Sequence, residues 1–477
     1  MRHRCLIIPL VLFCISIRGV AQPLTHTSLD SRLHPKYETR AVWLTTIGGL
    51  DWPHNYAQTP RSMSRQKDEL IRILDRLQDA NINTILLQTR IRGTVIYPSG
   101  IEPWDGCLSG MPGKSPGYDA LEFAIEECHK RGMEIHAWVV CLPLGETRRL
   151  GYRNMLRHKP NVCIKINRHG YMRPECPQTA EHLRNICCEI TERYDIDGIH
   201  LDYIRYPEEG RFHGSPEWKR NNITHIVRTI SDAVKTIKPW VKMSCSPIGK
   251  YHSLPRYWSH GWDAHDIVFQ DAQGWLRDGL MDVLFPMMYF RGNNFYPFAA
   301  DWKEHSYGRT IAPGVAAYFL SSRERNWPLA IITREVSVLR QFGMGHAFFR
   351  SRFFTEDTKG IYQAMRYDID FLPALVPPMA WMNRPKPSSP NVTMKERDGI
   401  QMLFWEDACN NNDSPYLYYN IYRSHTSPVN TDDISTLVAT RIRTNAISFR
   451  GDYHYALTAV DRYGQESLPA QVAHRND

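Results

Sequence analysis

The stretch "DIDGIHLDYIRYP", residues 195–207, reads as a buried strand interrupted by charge. Side chains alternate along an extended chain, so Ile199, Leu201 and Tyr203 share one face while His200, Asp202 and Ile204 share the other. An apolar pair on one face, with a histidine and an aspartate on the other, fits a strand of a (β/α)8 barrel. Ile199 and Leu201 then belong under helices, and His200 and Asp202 point into the barrel. Asp202 lies nearer the C-terminal mouth, where barrel enzymes carry their chemistry. An ionised carboxylate buried without a partner is costly. Asp202 therefore either pairs with an inward arginine or histidine, or serves catalysis or ligand binding; its place at the strand's end favours the second.

The neighbouring sequence repeats the pattern. Strand-like runs occur at "RAVWLTT" (40–46), "NTILLQTRI" (83–91), "MEIHAWVV" (133–140), the opening stretch, "VKMSCSP" (241–247), "MDVLFPMMYF" (281–290), "TIAPGVAAYF" (310–319) and "GMGHAFFRSRFF" (343–354). Most are separated by amphipathic segments. "DELIRILDRLQDA" sets Leu70, Ile73, Leu74 and Leu77 on one helical face after a Thr59-Pro60 start signal. Asp119 and Glu122 form a capping-box pattern ahead of "ALEFAIEECHKRG". Eight such strands with helical crossovers predict an α/β fold, a (β/α)8 TIM barrel. A doubly wound open sheet is the alternative, but no glycine-rich first turn of the dinucleotide-binding kind is present.

Composition changes at "PPMAWMNRPKPSSPN" (377–391), too rich in proline to sustain helix or sheet. Beyond it, short alternating runs predict a small all-β sandwich over 392–477. Its "YALTAVDRYGQES" (455–467) resembles the last hairpin of a fibronectin type III domain. Trp405 fits the core of that sandwich better than a sugar site. The barrel is expected over 22–376, followed by a 377–391 linker.

The first 21 residues read as a signal peptide: "MRHR" is basic, "CLIIPLVLFCISI" is apolar but too short to span a bilayer, and "GVA" supplies small residues for cleavage after Ala21. Phe13 before Cys14 does not suit a lipoprotein signal, so a soluble exported protein, periplasmic or extracellular, is expected. Cleavage removes Arg2, Arg4 and Arg18, lowering the formal charge of +8 by three. That balance suits an anionic cell-wall or polysaccharide partner and does not argue for nucleic acid. No later run is apolar for long enough to cross a membrane, and a monomer is the expected unit. Nine of the 11 cysteines lie beyond the leader, mostly inside apolar runs, and read as small buried hydrophobes; one or two disulfides are the alternative. No CxxC pair, Cys/His cluster or HExxH spacing calls for a metal, and no cofactor is expected.

Inward alternation on other strands supplies companions for Asp202. Gln88 and Arg90 share a face on the second strand, and Arg90 is suited to hold a carboxylate or to donate to sugar hydroxyls. His136 and Trp138 share a face on the third; Trp138 is placed to stack on a sugar, and His136 is either a substrate contact or a hydrogen-bonded core residue. Tyr289 ends the sixth strand as wall or donor. Asp51 and Trp52 follow the first strand at the same mouth, where the acid either binds substrate or caps a turn. Tyr203 and Arg205 flank the mouth as substrate or structural supports.

Several long motifs resemble the glycosyl-hydrolase-like family ten: "ETRAVWLTTIGGLDWP", "YPSG" near "EPW", "YDALEFAIEECHKRGMEIHAWV", "YDIDGIHLDYIRYP", "KPWVKMSCSPIG", "GWLRDGLMDVLFPMMYF" and "PPMAWM", in family order from about residue 38 to 382. The resemblance implies an exported glycosidase with bacterial cell-wall glycan (peptidoglycan) as substrate class. "DGIHLD" also resembles the nucleophile strand of α-amylase-like barrels, which implies that Asp202 matches the nucleophile position. The chain departs from the family pattern at Thr94, at Val140-Cys141 and at Tyr203. Glycoside hydrolysis ordinarily uses two carboxyl groups. Asp202 is expected to be the ionised one, kept so by Arg90 or His200, and Asp271 in "FQDAQGW" the acid, with Glu208 and Glu209 as rivals. Asp271 as a helix cap is the competing reading. A barrel that binds glycan without cleaving it is the alternative function.

Overall fold

A computed structural model describes residues 33–397, 400–449 and 453–472. The signal peptide expected over 1–21 lies outside the described residues. Eight parallel barrel strands follow the predicted runs: β1 (Arg40–Leu44), β2 (Thr84–Arg90), β3 (Glu134–Val140), β4 (Gly198–Asp202), β5 (Lys242–Cys245), β6 (Val283–Leu284), β7 in two pieces (Thr310–Ile311 and Gly314–Val315) and β8 (His346–Phe348). β7 is where the barrel closes. Its first piece pairs with β6 and its second with β8, which returns to β1 through Arg40 opposite His346. Pro313 breaks the strand because it has no N–H to give, yet its carbonyl still accepts from Ala347 N at 3.0 Å.

The helices form for readable reasons. α1 (Pro60–Asp79) starts at a reciprocal Thr59–Ser62 capping box and buries Leu70, Ile73, Leu74 and Leu77. α2 (Ala120–Lys130) is capped by the Asp119 carboxylate, which accepts from the N–H groups of Leu121 and Glu122. An excursion between β3 and the next crossover helix was not predicted. It holds α3 (Leu150–His158) and a three-stranded antiparallel sheet of Pro143–Glu146, Cys163–Ile166 and His169–Met172. α4 (Pro177–Arg193), α5 (Pro216–Ile237), α6 (Ala272–Arg277), α7 (Tyr296–Glu304) and α8 (Leu329–Gln341) complete the outer ring. No helix among the described residues is long and apolar enough to cross a membrane.

The sheet separates two cores, as period-two alternation requires. Val42, Leu87, Ile135, Val139, Ile199 and Leu201 pack outward with the helices. Ala41, Trp43, Leu86, Trp138, Phe285, Ala312 and Ala347 fill the barrel lumen. Gly198 is required at the lumen floor, since a Cβ there would fall 2.6 Å from His136 Nδ1. The nine cysteines beyond the leader are all unbridged, and six of them are buried.

The C-terminal strands β9 (Asn391–Arg397), β10 (Ile400–Glu406), β11 (Tyr418–Ser424), β12 (Leu437–Ile442), β13 (Ala446–Ser448), β14 (His454–Val460) and β15 (Ala470–Gln471) form sheets ordered β9-β10-β13 and β12-β11-β14-β15. Leu403, Trp405, Tyr419, Ile421 and Leu457 pack between them. This small β domain sits under the N-terminal end of the barrel. Arg441 donates to Glu134 Oε1 at 3.0 Å and also to Asp197. Arg462 pairs with Asp195 and donates to the Ile196 carbonyl at 2.9 Å. Lys36 pairs with Glu466 at 2.8 Å, and Trp381 Nε1 donates to Asp282 Oδ1 at 3.0 Å. Two of the three acids in the opening stretch, Asp195 and Asp197, therefore hold the two domains together.

Candidate active site

Asp202 ends β4 at the C-terminal mouth and is only 5% exposed. Three donors fix its carboxylate. Oδ1 accepts from Ser246 Oγ at 2.9 Å and from the Tyr203 backbone N–H at 2.7 Å; Oδ2 accepts from Trp138 Nε1 at 3.1 Å. Burial pushes the carboxyl above the usual aspartate range, against the opposing pull of Arg205 and of these donors. Tyr203 holds φ at +51°, in the left-handed region that a bulky residue adopts only at a cost. That backbone turn aims its N–H at Asp202 and leaves its ring 41% exposed at the mouth.

Arg205 connects this acid to a second one. Its Nε and Nη2 donate to Glu208 Oε1 at 2.9 and 2.7 Å, and its guanidinium lies 4.1 Å from the centre of the Tyr203 ring. Its Nη1 is buried with no acceptor among the described residues. Tyr289 lies in the field of Asp202, and burial, with Tyr318 and Asp202 in support, raises its hydroxyl well above the ordinary range. Its ring centre stands 5.5 Å from that of Tyr318 and 5.7 Å from that of Phe349.

Below Asp202 the lumen is a closed hydrogen-bonded stack. Trp43 Nε1 donates to His200 Nε2 at 3.2 Å, which places the His200 proton on Nδ1, facing Ser244 Oγ at 3.1 Å. Ser244 Oγ also meets His136 Nδ1 at 2.9 Å and donates to the Ile199 carbonyl at 3.2 Å. Burial, reinforced by His136, holds the His200 imidazole well below its ordinary range, so it is neutral. His136 and His200 are thus lumen core, and neither touches Asp202.

Several expectations are corrected by this geometry. Arg90 does not reach the lumen. The β2–β3 register shifts between Gln88, opposite Trp138, and Arg90, opposite Val139, and this bulge turns Arg90 to the outer face. There it forks onto Glu102 at 2.8 and 2.6 Å and donates to the Cys141 carbonyl at 2.7 Å. Burial raises the Glu102 carboxyl, but Arg90 and His182 outweigh it and bring it down to about 2. Asp51 binds within the fold: Oδ2 accepts from Thr45 N and Oγ1 at 2.8 and 2.7 Å, and Oδ1 from Arg350 and from Arg352 N at 2.6 and 3.2 Å. It clamps the first loop to the last. Trp52 is wholly buried against α1, donating to the Gln66 carbonyl at 2.8 Å. Asp271 caps α6, accepting from Gly274 N at 3.1 Å and from the Tyr251 hydroxyl at 2.6 Å. Trp138, expected to stack on sugar, is 4% exposed and holds Asp202 instead.

Of the predicted residues, Asp202, Trp138, Arg205 and Tyr289 come together, and Glu208 joins them through Arg205. Ser246, Ser244 and Trp43 went unnoticed, although Ser244 and Ser246 alternate inward on "VKMSCSP" and Trp43 does so on "RAVWLTT".

The model of the family described as glycosyl hydrolase-like 10 matches residues 38–317. The chain belongs to that family. Membership makes it a glycoside hydrolase by class. The glycosyl hydrolase YngK of Bacillus subtilis strain 168 is 28% identical over 90% of this chain and 92% of its own length. The glycosyl hydrolase DigH of Escherichia coli K12 is 31% identical over 55% of this chain and 69% of its own. Among solved structures, the PgaB (BpsB) glycoside hydrolase domain of Bordetella bronchiseptica matches at a TM-score of 0.48 and 11% identity, covering 69% of this chain and 98% of that one.

Proposed function

We propose that this glycoside hydrolase cleaves the glycan of the bacterial cell wall at the barrel mouth, with Asp202 as proton donor and Glu208 as the second carboxyl. The observation that carries this reading is Asp202 itself, raised by burial and pinned by Trp138, Ser246 and Tyr203 at the end of β4. A carboxyl pushed upward suits proton donation to a leaving oxygen. Oδ2 has one donor where Oδ1 has two, so Oδ2 is the oxygen free to carry the proton. The expected ionised role rested on Arg90 or His200, and neither contacts Asp202. Glu208 replaces Asp271 as partner because it pairs with Arg205, whose charge acts on Asp202, while Asp271 is engaged as a cap. The exposed Tyr203 ring supplies an apolar face for a sugar.

The test is release of reducing ends from peptide-free cell-wall glycan. Wild type should cleave it, and Asp202→Asn should lose about 100-fold or more of that rate, the usual range for removing a general acid. An unchanged rate in the variant would refute the assignment. Wild type that binds the glycan and releases nothing would overturn cleavage of this glycan in favour of binding alone. Export is also proposed, on the basic, apolar and small-residue pattern of residues 1–21. A mature N-terminus at Gln22 on protein recovered outside the cytoplasm supports it, and a chain that keeps Met1 and stays in the cytoplasm overturns it.

A further inference from the structure

The loops after β6 and β7 carry three exposed arginines on the mouth side of the barrel, Arg291, Arg323 and Arg325. Two of them lie on aromatic rings. The Arg325 guanidinium is 4.6 Å from the centre of Phe319, that of Arg291 is 6.0 Å from the centre of Trp327, and the two rings are 4.9 Å apart. Both rings are nearly buried and form a firm floor. Arginines of the next loop are neutralised, Arg350 by Asp51 at 2.6 Å and Arg352 by Glu356 at 2.6 Å. Arg291, Arg323 and Arg325 form no ion pair with an acid among the described residues. Glu324 lies between Arg323 and Arg325, and the Lys359 ammonium is taken up by Asn326 and the Trp327 carbonyl. The local charge is therefore positive.

This patch is continuous with the site. The Phe319 ring is 4.0 Å from Tyr318, Tyr318 is 5.5 Å from Tyr289, and Tyr289 stands in the field of Asp202. A guanidinium beside a ring face keeps its planar N–H fork available, and that fork can receive a carboxylate by two parallel hydrogen bonds. We propose that Arg291 and Arg325 form a subsite for a carboxylate borne by the glycan, so that the enzyme selects acidic over neutral chains. The proposal rests on the glycan-cleaving reading and sharpens its substrate class.

The experiment titrates the full chain carrying Asp202→Asn with two matched probes: a peptide-free cell-wall oligosaccharide bearing its lactyl carboxylates, and the same oligosaccharide with those groups reduced to alcohols. The acidic probe should bind about 10-fold more tightly at low salt, with the gap narrowing at ~0.5 M salt. In the same background, Arg291→Gln with Arg325→Gln should shrink the gap to roughly twofold, and the Lys counterparts should keep part of it, since charge survives without the planar fork. Equal affinity for the two probes, or a full gap in the double Gln variant, overturns the subsite. Wild-type turnover separates the two readings. Cleavage of both probes without an affinity gap removes the subsite and leaves the hydrolase; a gap without cleavage removes the hydrolase and leaves the subsite.

Discussion

The Trp138 indole donates to Asp202 Oδ2 at 3.1 Å across two neighbouring parallel strands, in a ladder that sets Trp138 beside His200 and Val140 beside Asp202. The contact is diagonal, one step up the barrel, and it holds the carboxylate at the top of the packed lumen. Trp138→Phe keeps an aromatic filler and removes the donor. Losing a hydrogen bond to the charged form lets the Asp202 carboxyl rise further. Activity should fall by about 10- to 100-fold at neutral pH, in line with one lost hydrogen bond to a charged group. The pH–rate profile should shift upward on the limb that Asp202 governs. A profile superimposable on wild type would show that Trp138 only packs.

Glu335, on α8, is wholly buried, and neither of its oxygens has a hydrogen-bond partner among the described residues. Burial raises its carboxyl to about 9. Between its unfolded value and that folded one, the native chain holds a proton that the unfolded chain has released, so stability falls as pH rises through this window. The slope approaches 1.4 kcal/mol per pH unit at most. Glu335→Gln should flatten the dependence of melting temperature on pH between about 5 and 8.5 relative to wild type. Parallel curves for the two proteins would refute the assignment.

Asp197 shows the opposite sign. Burial raises its carboxyl, but Arg441, His129 and Arg462 outweigh it and hold it well below the usual range. Its contribution is fully present above the unfolded aspartate value and is lost as pH falls toward the folded one. Arg441→Ala takes one cation from Glu134, which keeps Lys242, and one from Asp197, which keeps His129 and Arg462, so the loss stays below the ~3–5 kcal/mol of a buried pair left with no cation. Thermal unfolding of the variant should begin earlier, with the loss relative to wild type shrinking in acid. A melting temperature unchanged at pH 7 would mean that the β domain does not depend on this contact.

Much of the barrel was legible in the alternation of its strands. Ile199 and Leu201 against His200 and Asp202 gave the orientation of β4, and the structure keeps it. The inward placing of Arg90 and the substrate and acid roles weighed for Asp51 and Asp271 give way for distinct physical causes. Alternation carries Arg90 inward only if β2 is regular, and a one-residue bulge is invisible in "NTILLQTRI" because nothing in its composition marks it. Asp51 and Asp271 are loop acids, whose partners come from segments distant in the chain (Arg350) or from a local turn (Gly274). His136 and His200 were legible as inward, with a hydrogen-bonded core role open for His136, but their shared acceptor Ser244 was not, since it lies on another strand. The α3 excursion left no clear signal because its strands are only four residues each. The roles of Asp195 and Asp197 depend on Arg441 and Arg462, more than 240 positions away in the chain.

The grip of Arg441 and Arg462 on the underside of the barrel fixes how the molecule can meet a polymer. A fibronectin-like module is commonly pictured as a swinging arm that fishes for a surface and reels in the enzyme behind it. Here the module is tied by ion pairs and hydrogen bonds to the pole opposite Asp202. A glycan of the kind proposed above would have to be captured by the rim itself, and lengthening or trimming the 377–391 segment should alter thermal resilience far more than the rate of encounter.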